Sequence, residues 1–85
     1  MSPDKRDRSP PPEPTPSQID AQVGERLRYR RLDVGLTVAE LAAILGIDEN
    51  DLEAIESGRT RAGPKLVDAA ADALGVSVHW FFSKW

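Results

Sequence analysis

The chain of 85 residues contains no cysteine and only one histidine, His79. The first absence excludes disulfides and thiolate zinc sites. The second leaves His79 without a second ligand or nucleophile, so it reads as a partly exposed helix residue and neither a metal nor a cofactor is expected. Long apolar runs are missing as well. Nothing approaches the roughly 18 residues of a membrane span, and the N-terminus is charged and proline-rich where a signal peptide would be apolar. The expectation is a soluble, cytoplasmic protein with no membrane partner and no small-molecule ligand. Strand-like alternation is absent too, which leaves an all-α fold. The net charge of −3 argues against indiscriminate binding to nucleic acid through total charge.

Proline is abundant but confined: six of the seven lie in the first 16 residues, as Pro3, Pro10, Pro11, Pro12, Pro14 and Pro16. Met1 is the only large apolar residue there, and Lys5, Arg6 and Arg8 balance Asp4, Asp7 and Glu13. Such a segment cannot bury enough surface to offset its ordering entropy. Residues 1–16 therefore read as a disordered tail, partly polyproline II, serving either as a solubilising tail or as a ligand for a grooved partner. Residues 17–85 form one domain. A domain of this size buries only about 60% of the surface its unfolded chain exposes, too little for a large catalytic cleft, and no base and nucleophile are paired in it. An enzyme is not expected.

Five short helices follow from periodicity and caps. Ser17 with Asp20 forms a capping box ahead of a stripe of Ile19, Val23, Leu27 and Val34 that stops at Gly35, while Leu32 falls off the stripe. Thr37 with Glu40 is a second capping box, before an apolar face of Val38, Leu41, Ala42 and Leu45 that ends at Gly46. Asp48 can cap a third helix that carries Leu52 and Ile55 inward. Pro64 suits the first position of a fourth, with Leu66, Ala69, Ala70 and Ala73 on one face and Asp68 and Asp72 on the other. Ser77 can cap a last helix through Val78, Trp80, Phe81 and Phe82.

The most informative stretch is about residues 37–57, where a turn of roughly three residues around Gly46 joins two short helices steeply, as in a helix-turn-helix. From Val23 to Phe82 the chain also carries RLR in its first helix, GLTVAELA into the second, LGI at the turn, IESGR closing the third and ALGVSVHWF before the last. In these motifs it resembles the Cro/CI-type (XRE) helix-turn-helix family of phage repressors and bacterial transcriptional regulators. The resemblance implies a lambda-repressor-like domain that binds double-stranded DNA, with residues 48–56 as the recognition helix in the major groove. It implies backbone contacts from Thr37, Ser57, Arg59, Arg61 and Arg28, base-facing positions at Glu49, Asn50, Asp51 and Ala54, and a dimer contact on the last helix at Trp80, Phe81 and Trp85. A core lid with a fraying end is the alternative for those aromatics.

One pair follows from the residues themselves. Arg31 borders the stripe of the first helix and Glu56 adjoins Leu52 on the inward side of the third, so both charges are placed where they lose water and should pair. The basic residues cluster too. Arg26, Arg28, Arg30 and Arg31 crowd the first helix, and Arg59, Arg61 and Lys65 follow the third. Between them, residues 48–56 hold five acids and no base. Carboxylates there can help the helix dipole or accept from cytosine N4, and Asn50 can pair with adenine, but phosphates repel them. Two functions stay open: a DNA-binding regulator acting as a homodimer or with a protein co-regulator, and a helix-turn-helix derivative whose acidic third helix docks a basic protein.

Overall fold

The computed structural model describes residues 16–83, with side chains from residue 18 onward. Of the tail expected over residues 1–16, residues 1–15 lie outside the described residues, as do the Ser17 side chain and Trp85, while Pro16 belongs to the first helix. Among the described residues there are five helices: α1 Pro16–Val34, α2 Val38–Leu45, α3 Glu49–Glu56, α4 Pro64–Leu74 and α5 Val78–Phe82. Among the described residues there is no strand. Helix α1 begins at Pro16, one residue ahead of the expected Ser17 cap. Proline suits a first position, because the N–H it lacks would have no helical partner.

Thr37 and Glu40 form a complete capping box at α2: the Thr37 hydroxyl accepts from the Glu40 N–H at 3.0 Å, and the Thr37 N–H donates to Glu40 Oε1 at 2.8 Å. Gly46 ends α2 in the left-handed region at φ 71°, a conformation that costs glycine little. Its N–H bonds back to Ala42 and Ala43, and the chain turns directly into α3. Asp48 has the extended backbone of an N-cap, but its side chain makes no capping bond, contrary to the sequence expectation. Ser77 caps α5 by accepting from the Trp80 N–H at 3.2 Å.

Helix α1 is the hub, packing on α3, α4 and α5, while α2 packs on α3 and α4. The core comprises Val23, Leu27, Leu41, Ala42, Leu52, Ile55, Val67, Ala70, Ala71, Leu74 and Phe81. Two apolar stripes differ from expectation. In α1, Val23 and Leu27 are buried but Ile19 and Val34 are exposed, as is Leu32. The inward face of α1 is completed by Gly24, Arg26 and Arg31, which a search for apolar periodicity passes over. In α4 the buried residues are Val67, Ala70, Ala71 and Leu74, whereas Ala69 and Ala73 are exposed. The two candidate stripes differ by one residue, about 100° of helix, and the larger side chains of Val67 and Leu74 decide which turns inward.

Candidate nucleic-acid interface

Helix α3 is fixed from behind. Arg31 Nε donates to Glu56 Oε2 at 2.7 Å and its Nη2 to Oε1 at 3.1 Å, a two-pronged buried pair. Arg31 Nη1 also donates to the Leu36 carbonyl at 2.8 Å, so one guanidinium ties α1, the loop before α2 and the end of α3. Gly24 allows the close approach this needs. A Cβ there would overlap the Ile55 carbonyl oxygen and lie 2.9 Å from that of Glu56. Because Glu56 points inward and is paired, four carboxylates of the five, Asp48, Glu49, Asp51 and Glu53, remain on the exposed side of the 48–56 segment.

With Leu52, Ile55 and Glu56 buried, the opposite side of α3 presents Asn50, Ala54 and Ser57. Asn50 and Glu49 border a cleft of about 470 Å³ shared with Ala39 and Ala43 of α2. At the other end, Ser57 Oγ donates to the Ala54 carbonyl at 3.1 Å and accepts from Arg59 Nε at 2.9 Å. Arg28 and Ser57 line one shallow depression with Gln18, Gln22 and Glu56. The structure thus gathers Arg28, Ser57 and Arg59 at the C-terminal end of α3. Thr37 forms the cap with its backbone N–H and with its hydroxyl as acceptor, and the cap also perturbs Glu40: the Thr37 backbone N–H first, and its hydroxyl second, hold that carboxyl below its ordinary value. Val38 packs half-buried against the core.

Arg61 is placed differently. It lines an apolar groove of about 410 Å³ with Ile19, Val23, Pro64, Val67 and Phe82. Three other arginines of the basic cluster on α1 are structural. Arg26 is 1% exposed and donates to the Trp80 carbonyl at 2.6 Å and to Ser83 Oγ at 3.2 Å, with its guanidinium over the Trp80 ring. Arg30 bonds the Leu74 carbonyl and Asp33, and Arg31 holds Glu56. Only Arg28 of the four is exposed. The aromatic end needs a correction as well. Phe81 is 1% exposed and belongs to the core, so it presents no surface to a partner, and Trp80 is half-buried against the core. Among the described residues, the large apolar side chains exposed at this end are Phe82, Val78 and Ile19. The Gln22 and Arg26 bonds to the carbonyls of α5 and Ser83 were not legible, since polar residues in a long helix ordinarily read as solvated. Among the described residues no group of acids and histidines could hold a metal, and no helix is long and apolar enough to cross a membrane.

Two short helices joined by a tight glycine turn, the second braced from behind and exposed in front, define a helix-turn-helix domain. The family model described as "Helix-turn-helix domain" matches residues 22–79. An uncharacterized HTH-type transcriptional regulator of Sinorhizobium medicae is 34% identical over 67 residues, which is 79% of this chain and 48% of that protein. An uncharacterized transcriptional regulator in the ATPase CF(0) region of Rhodospirillum rubrum is 35% identical over 65 residues, 76% of this chain and 60% of that protein. The chain therefore spans about half the length of the first of these curated relatives and under two thirds of the second. Among solved structures, the clp gene regulator ClgR from Corynebacterium glutamicum is similar with a TM-score of 0.73 at 33% identity, covering 82% of this chain and 71% of that one. The biofilm master regulator SinR, solved in complex with DNA, is similar with a TM-score of 0.66 at 27% identity, covering 72% of this chain and 98% of that one. The chain belongs to the helix-turn-helix family of transcriptional regulators of the Cro/CI (XRE) type.

Proposed function

We propose that the protein is a cytoplasmic DNA-binding transcriptional regulator that lays α3 in the major groove of double-stranded DNA. The observation that carries this reading is the brace behind α3. The buried Arg31–Glu56 pair and the Gly24 contact hold the helix by its inner side and leave Asn50, Ala54 and Ser57 facing out. In this reading Arg28, Ser57 and Arg59 hold one phosphate run beside the C-terminal end of α3, Thr37 meets another at the start of α2, and Arg61 adds positive charge at the rim. SinR, a relative in fold, was solved with DNA, which supports the same use here.

Arg59→Ala tests it. Binding to all duplexes should weaken, and the slope of log affinity against log salt should fall by about one. Unchanged binding across several salt concentrations would sink the docking scheme. Reading two half-sites calls for a two-fold dimer, and the exposed Phe82, Val78 and Ile19 offer the apolar surface for a second copy. Phe82→Asp should then shift the sedimenting species to monomer; an unchanged assembly state rejects that surface.

The four outward carboxylates favour a second reading, in which α3 docks a basic protein or co-regulator. Glu49→Gln with Asp51→Gln separates the two. Tighter DNA binding with in-cell function retained supports the regulator on DNA, whereas loss of in-cell function despite tighter DNA binding supports the protein partner.

A further inference from the structure

We infer that the centre of the DNA half-site is an A·T pair, read by Asn50 with Ala54 beside it. This rests on the reading of α3 as the helix in the major groove. Leu52, Ile55 and Glu56 are buried, so at about 100° per residue the outward midline of α3 runs through Asn50 and Ala54. Asn50 is exposed and Ala54 half-buried. Asn50 borders the 470 Å³ cleft with Ala39 and Ala43 of α2, whose side chains are single methyl groups.

The chemistry of this line selects the base. Glu49, Asp51 and Glu53 flank it, and ionised carboxylates only accept hydrogen bonds. Guanine shows two acceptors, N7 and O6, in the major groove, and no Arg or Lys stands on α3 to donate to them. Adenine shows N7 as an acceptor and N6 as a donor, which the Asn50 carboxamide matches with two bonds. Ala54 lies four residues on, about 6 Å along the axis, between one and two base steps. Its methyl suits contact with a thymine C5-methyl. Asn50 and Ala54 thus form an uncharged seam through an acidic face; the carboxylates beside it can meet the N4 donor of cytosine but not the acceptors of guanine, so the preference for A·T at this position rests on the Asn50 carboxamide.

The test is selection of duplexes from a randomised pool by the full chain, followed by binding of Asn50→Ala and Asn50→Gln to the selected site and to its central A·T-to-G·C variant. The wild type should prefer A·T by about 5- to 150-fold. Asn50→Ala should abolish that preference while keeping salt-dependent nonspecific binding, and Asn50→Gln, which can also grip adenine, should keep part of it. Selection of G·C at the centre, selection of no preferred sequence, or undiminished discrimination by Asn50→Ala overturns the assignment while leaving DNA binding intact. Retention of no duplex by the wild type overturns the DNA-binding reading and this inference with it.

Discussion

Gly24→Ala should be among the most damaging single changes in this domain, although it adds one carbon. Alanine in place of glycine inside a helix is intrinsically favourable by about 1 kcal/mol. Here the new Cβ would overlap the Ile55 carbonyl oxygen and stand 2.9 Å and 3.1 Å from the Glu56 oxygen and carbonyl carbon, against 3.4–4 Å for ordinary contact. All three atoms are backbone, so no side chain can rotate away. Relief requires α1 and α3 to part by about 1 Å, in the range where overpacking costs about 1–3 kcal/mol or more. The same movement would stretch the 2.7 Å Arg31–Glu56 bond past useful hydrogen-bond length and loosen Leu52 and Ile55. We expect a net loss of about 3 kcal/mol, from a total of about 4–10 kcal/mol for a domain of this size. Urea unfolding followed by far-UV circular dichroism measures it, with Gly63→Ala as the control. A Cβ at Gly63 meets nothing within 4 Å, and that change should cost under about 1 kcal/mol. A Gly24→Ala midpoint at or above the wild-type value refutes the reasoning.

Two further outcomes follow from the same geometry. Arg31→Ala or Glu56→Ala alone should each destabilise by about 3–5 kcal/mol, because the partner is left charged and buried; Arg31→Met with Glu56→Leu should cost less than either, and simple additivity in the double-mutant cycle would show that the two charges do not depend on each other. The lowered Glu40 pKa means that the α2 capping box contributes fully above the unfolded value and is lost as pH falls through the lower folded one. A side-chain NMR titration should therefore find Glu40 below its ordinary value, and Thr37→Val, which removes the hydroxyl but keeps the backbone N–H, should move it back upward only in part; a wild-type Glu40 midpoint at its ordinary value would refute the capping-box cause.

Much of the fold was legible because it is written in local chemistry. Thr37 with Glu40, Gly46, Pro64 and Ser77 mark helix ends through interactions within one turn, so spacing alone exposes them. Arg31 and Glu56 were also inferable, since each sits beside apolar residues of its own helix and a charge placed there needs a partner. The chain by itself therefore determined five helices, a helix-turn-helix near residues 37–57, and an acidic third helix. Tertiary structure decided which polar residues serve the fold and which remain available. Arg26, Arg28 and Arg30 look alike in a charged helix, yet Arg26 holds the Trp80 carbonyl of α5, Arg30 holds the last carbonyl of α4, and Arg28 faces solvent near Ser57. Their roles depend on where α4 and α5 end in space, some 44 to 57 residues farther along the chain. Gly24 is decided the same way, because only the crossing of α1 over Ile55 and Glu56 makes a missing Cβ necessary.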